Sequence, residues 1–216
     1  MMKNKIPADE QGFSLLELLI VAIIVTLGTA WAIPQYRRQL ALNQLDQYTQ
    51  QIESGLFSLR ARQSSEGTSC EINFNSNFVG TNNTKSGYGA PAELIEFSHL
   101  TDKQRAQRLE CCDATQCEWD PPYRLIDQEN TSVSRNVELK VSQASYSLSP
   151  PGSSTDENAL VLLVRSTNWN QDPQRPLPLR CVRFSTAGHL HRGSWKQEKG
   201  RWRCLHKRHK PEETET

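Results

Sequence analysis

The chain has 216 residues, 23% of them charged, with a formal net charge of +1 and a mean hydropathy of −0.64. That length allows one globular domain with attachments or at most two small domains, and the hydropathy excludes a chain that lives mostly in lipid. The near-neutral total hides an asymmetry: residues 180–210 hold ten Lys/Arg against one acid, Glu198, while the rest carries fifteen basic and twenty-three acidic residues.

The apolar surface is gathered in the first forty residues. Phe13–Ile33 is an almost unbroken apolar run of 21 residues, about 31 Å long as a helix, which matches a bilayer core. A cleaved secretory signal fits poorly, because the run is too long and no small-x-small cleavage site follows it. A plain membrane anchor leaves Glu17 unexplained, since an ionised side chain in a membrane helix costs about 2–3 kcal/mol even on the lenient insertion scale. A partner exists if the chain is cut between Gly12 and Phe13. The new ammonium at Phe13 then lies four residues from Glu17, and in a packed bundle the carboxylate of one subunit can neutralise the terminal amine of its neighbour.

The polar leader ending in Gly12, followed by Phe13, Ser14, Leu15, Leu16, Glu17 and the apolar helix, resembles the N-terminus of a type IV prepilin. The resemblance implies that a membrane-embedded prepilin peptidase cuts after Gly12 and methylates the Phe13 amine, with Glu17 as the assembly residue. The charge flanks (Lys3, Lys5, Asp9 and Glu10 before the run, Arg37 and Arg38 after it) give no firm orientation. The resemblance does: leader in the cytoplasm, one pass through the inner membrane, and the rest outside.

Beyond Pro34, which should kink the helix or interrupt its hydrogen bonding, Leu42, Leu45, Thr49, Ile52, Leu56 and Leu59 recur at helical spacing. Gln44, Asp46, Gln50 and Glu53 fall on other faces. This stripe is expected to pack on the protein's own sheet rather than in a free coiled coil. The helix is expected from about Phe13 to about Arg62 and to end within "QSSEGTSC".

The remainder reads as β-rich. "CEINF", "LIEFS", "YRLI", "VELKV", "SYSL", "ALVLLVRS" and "LRCVRFS" have strand composition between Gly, Pro, Asn and Ser clusters. "TDKQRAQRLE" reads as a short surface helix and "NSNFVGTNNTKSGYGAP" as a long loop. The expected fold class is α+β: a long N-terminal helix, half in the membrane and half amphipathic, packed on an antiparallel sheet. That is also the type IV pilin fold which the resemblance implies. The segments are a leader over 1–12, an assembly helix over 13–34, its amphipathic continuation over 35–62 and a globular domain over 63–216.

Six cysteines (Cys70, Cys111, Cys112, Cys117, Cys181 and Cys204) all follow the apolar run, as expected for disulfides in an exported region. They lack paired C-x-x-C spacing, and no catalytic or phosphate-binding motif is present, so neither a metal, a cofactor nor an enzymatic activity is expected. "RCVRFSTAGHLHRGSWKQEKGRWRC" is similar to the C-terminal segment of the FimT/GspH branch of minor pilins and pseudopilins, in its apolar-x-Phe-Ser-x-x-Gly strand and turn. Gly188 and Gly200 mark turns there. With that segment bracketed by Cys181 and Cys204, these two are the expected disulfide, leaving Cys70 for Cys111, Cys112 or Cys117.

Arg192, Lys196, Lys199, Arg201, Arg203, Lys207, Arg208 and Lys210 are interleaved with Trp195 and Trp202. Cations attract phosphates without regard to sequence, and aromatic faces stack on exposed bases. The alternative is a solvated strand face with the tryptophans packed on the core. The resemblance implies a minor pilin with other pilin subunits, the prepilin peptidase and the pilus assembly machinery as partners. A pseudopilin of a type II secretion system and a DNA-binding subunit for DNA uptake are the alternatives.

Overall fold

The computed structural model describes residues 14–67, 69–80, 87–95, 109–110, 132–150, 152–168 and 174–206. Helix α1 covers Leu15–Glu66. It belongs to two compact units, residues 1–40 and 41–216.

In the first unit the helix is long and apolar enough to cross a membrane, and the large side chains from Leu15 to Ile33 are exposed. The hydroxyls of Thr26 and Thr29 donate back to the carbonyls of Ile23 and Val25 at 2.9 Å, so they demand nothing of the surroundings. The helix is continuous through Pro34. Proline has no N–H to offer the Ala30 carbonyl, so one bond of the ladder is missing there.

The second unit has its own core. Leu45, Ile52, Leu56 and Leu59 of the expected stripe are fully buried and Thr49 nearly so, while Leu42 is half-buried. Tyr48 joins them, also fully buried. Thr49 keeps its hydroxyl satisfied by donating to the Leu45 carbonyl at 2.7 Å. The helix stops at Gly67, whose φ of +67° suits the left-handed turn after a last helical residue, and whose N–H reaches the Gln63 carbonyl at 3.0 Å.

Two antiparallel sheets meet this helix. The first has the order β2-β1-β4-β5, with β1 Cys70–Asn73, β2 Leu109–Glu110, β4 Ser145–Ser149 and β5 Ser153–Ser154. The second has the order β3-β6-β7-β8-β9, with β3 Val137–Val141, β6 Leu160–Ser166, β7 Arg180–Phe184, β8 Leu190–Glu198 and β9 Arg201–His206. Inward residues of both sheets, among them Ile72, Tyr146, Leu139, Leu162, Val182 and Phe184, share one cluster with the helix stripe. Each Leu or Ile sealed there contributes about 1.5–3 kcal/mol. Strand β6 is apolar on both sides because a second cluster of Val161, Leu163, Cys181 and Trp195 covers the outer face.

The structure corrects three expectations. Leu94 and Ile95 of "LIEFS" are not strand: Leu94 ends a one-turn helix α2, Pro91–Leu94, begun by proline at its first position, and Ile95 caps it. Leu109 and Glu110, the end of the expected surface helix, pair with Ile72 and Glu71 as β2. The loop after β1 is partly ordered onto β3, through a Ser76–Phe78 turn of 3-10 helix and bridges from Val79 and Gly89 to Val141 and Leu139. "YRLI" and residues 101–108 lie outside the described residues.

Candidate assembly helix and basic hairpin

Two places carry the expected function. At the first, Gly12 and Phe13 lie outside the described residues. Glu17 is exposed in the first turn of α1, among exposed leucines and isoleucines. A carboxylate near a helix N-terminus is favoured by the unpaired N–H groups of that end.

The helix then presents polar residues seven apart to the second sheet. Asp46 accepts from Arg180 Nε at 2.5 Å and from Nη2 at 3.2 Å. Glu53 pairs with Arg192 at 3.2 Å, and Arg60 Nη1 donates to the Gly188 carbonyl at 2.6 Å. Seven residues are two helical turns, so the three point the same way, at β7, β8 and the turn between them. That turn is crowded: a Cβ on Gly188, which has φ +80°, would collide with the Gly152 carbonyl. Ser154 N–H donates to Thr186 O at 2.8 Å, stitching the first sheet to the same turn.

The second place is the β8–β9 hairpin. Glu198 pairs with Arg201, so the loop is Lys199–Gly200, with φ of 50° and 78°. Positive φ at both central residues is the two-residue hairpin turn that matches strand twist. Lys196 lies opposite Arg203 and Trp195 opposite Cys204. Successive side chains alternate between faces, so Lys196, Arg203, Glu198 and Arg201 share one face and Trp195, Gln197 and Trp202 the other. Lys196, Lys199, Arg201 and Arg203 are all exposed. Lys199, Arg201, Arg203 and Glu198 line a concavity of about 390 Å³.

Two members of the expected basic patch stand elsewhere. Arg192 is turned to the helix and paired with Glu53. Trp195 is 7% exposed and packs with Val161, Leu163 and Cys181, leaving no free face for a base. Trp202, 39% exposed, stacks on Trp195 with centroids 6.4 Å apart and planes 14° from parallel. Lys207, Arg208 and Lys210 lie outside the described residues.

Cys181 and Cys204 are bonded, as expected, with Cα atoms 5.8 Å apart. Cys70 is disulfide-bonded as well, while Cys111, Cys112 and Cys117 lie outside the described residues. The first bridge joins β7 to β9, which are not neighbours. In a flat sheet, strands two apart are separated by about 9.5 Å, so the sheet must curl at β8. Gly193, opposite Cys181 on β8, puts no side chain in the way.

On the outer face, Arg165 Nε binds Glu138 at 2.6 Å and its guanidinium carbon lies 3.9 Å from the centre of the Tyr88 ring. Lys140 Nζ is 5.6 Å from that ring. Burial pushes the Tyr88 hydroxyl up to about 12 against the opposing pull of Arg165. Burial also lowers the Lys140 ammonium, with Arg165 adding to it.

The sequence matches the family model of the prokaryotic N-terminal methylation motif over residues 8–33. No curated protein sequence matches the chain. Among solved structures, the type IV minor pilin FimU of Pseudomonas aeruginosa (strain PAO1) aligns with a TM-score of 0.41 and 11% identity, over 74% of this chain and 93% of that one.

Proposed function

We propose that the chain is a minor pilin, a structural subunit of a type IV pilus. The observation that carries this reading is the methylation motif over residues 8–33 at the head of a helix whose apolar side chains stand exposed to Ile33. Prepilin peptidase cuts after Gly12 and the Phe13 amine is methylated. The subunit waits in the inner membrane, held by its apolar segment, with the globular unit outside the cytoplasm. On assembly, apolar stripes of other subunits replace lipid and Glu17 pairs with a neighbour's terminal amine, cancelling two charges that are each costly in lipid. Terminal sequencing and intact-mass measurement of the protein recovered from its host test the first step. The expected result is a chain beginning at Phe13 with one added methyl; an uncut chain overturns the reading. Glu17→Ala should insert normally and enter sheared fibres poorly.

A second role rests on the exposure of Lys196, Lys199, Arg201 and Arg203 together on one hairpin. Such a cluster attracts phosphate by charge alone, which is the chemistry of a DNA-capturing subunit. A gel shift across a salt series tests it. Binding should fade steeply with salt and vanish when these four become Gln; absence of binding at low salt removes this role and leaves the structural one.

A further inference from the structure

The curled hairpin creates a groove of about 800 Å³ on the outer face of the second sheet, with Trp195 and Trp202 in its lining. Its polar lining includes Gln143, Asn158, Arg183, Glu198 and Arg203. These come from separated places: the β3–β4 turn, the approach to β6, strand β7 and the hairpin. The cations Lys196 and Arg201 of the basic patch are absent from this lining.

We propose that this groove binds a saccharide, with one sugar ring lying on Trp202. A pyranose has an apolar C–H face and a rim of hydroxyls, so it needs a rigid aromatic platform edged by planar groups that donate and accept. Trp202 is such a platform: it is partly exposed, and Trp195 stacked on it holds it flat. Gln143 and Asn158 offer amides and Arg183 offers forked donors. Among the described residues, the Gln143 Nε2 and Trp195 Nε1 donors are buried without a partner, and both residues belong to the groove lining. A buried donor left unpaired is costly, and a ligand acceptor recovers that cost. The volume lies within the range of ligand clefts.

Nucleic acid fits the groove less well. A strand of bases needs successive stacking platforms and an unbroken positive track, whereas among the described lining residues the one exposed ring is Trp202, and Lys196 and Arg201 are missing.

The test uses the full-length chain in a polyoxyethylene detergent, whose head group is not a sugar. Ligand-observed saturation-transfer NMR is run with chitotetraose, cellotetraose and tetragalacturonate, and with oligothymidylate as the competing class. Saturable binding of at least one saccharide is expected. It should weaken about tenfold in Trp202→Ala, as loss of a stacking platform and its buried area implies, and measurably in Asn158→Ala, which changes an exposed loop residue and keeps the test intact if the first variant does not fold. The proposal is overturned if no saccharide binds at millimolar concentration, if binding is indifferent to both variants, or if oligothymidylate displaces the sugar with the same sensitivity to Trp202.

Discussion

Removing the Asp46 carboxylate is the sharpest probe of how the amphipathic half of α1 is held. Arg180 is 8% exposed, and its guanidinium meets Asp46 through two donors and the Ser194 hydroxyl through Nη1 at 2.6 Å. Asp46→Ala strands that cation with one neutral partner. Breaking a buried pair costs about 3–5 kcal/mol. The Asp46 side chain is 43% exposed, so water can replace part of what is lost, and about 2 kcal/mol is expected. The assay is urea unfolding of oxidised residues 41–216, the unit with its own core. With a slope of about 2 kcal/mol/M, the midpoint should fall by about 1 M. Arg180→Met added to Asp46→Ala should recover most of the loss, because the uncompensated charge is gone. A shift below about 0.3 M for Asp46→Ala, or a double variant weaker than the single, would refute the reasoning that a stranded cation sets the cost.

Three further outcomes follow from other parts of the unit. Gly188→Ala should destabilise by about 3 kcal/mol, since both the positive φ and the Gly152 carbonyl oppose a side chain; a midpoint within error of wild type in the same urea assay contradicts this. Replacing Cys181 and Cys204 with Ser should cost about 3 kcal/mol, the loop-closure value for a separation of 23 residues, and no loss of stability would show the curl to be held by strand pairing alone. The Tyr88 hydroxyl titrates higher folded than unfolded, so its contribution is fully present below about 10 and is lost as pH rises towards about 12. Ultraviolet phenolate titration should lose a late step in Tyr88→Phe, and an unchanged titration would rule out the burial assigned to that ring.

Strands with strong local composition were legible in the sequence. "VELKV", "SYSL", "ALVLLVRS" and "LRCVRFS" agree with β3, β4, β6 and β7 to within a residue at most ends, because β-branched and apolar content decides them locally. The helix stripe was equally plain, except that Tyr48 lies beside Thr49 in the core, where one helical turn can bury two adjacent positions. The division into two sheets was not legible. It depends on β1 choosing β4 across 70 residues or more, which no local pattern encodes. "LIEFS" misled because its composition suits a strand, while Pro91 starts a helical turn just upstream.

The functional sites divide the same way. Gly12, Phe13 and Glu17 form a contiguous signal, readable without a fold. The basic patch was read as a run of cations, but alternation along β8 sends Arg192 to Glu53 and Trp195 to the outer cluster. Gln143, Asn158 and Arg183 carried no signal at all, because they sit in separate segments that only the tertiary fold brings to one groove. Asp46 and Glu53 stood off the apolar stripe in the sequence, yet neither their seven-residue spacing to Arg60 nor their partners on β7 and β8 were legible there.

That spacing has a mechanical consequence. A pull along the axis of α1 loads the contacts of Asp46, Glu53 and Arg60 together, in shear, rather than one after another as in peeling. Each contact then carries a share of the force, and none can release before its neighbours are strained. The helix can therefore be tugged lengthwise without being stripped from its sheet, while a sideways lift from the Gly67 end loads the buried Gln63, the Arg60 contact and Leu59 before it reaches Glu53 or Asp46. Resistance to tension should be strongly directional, greatest along the axis of the helix within residues 41–66.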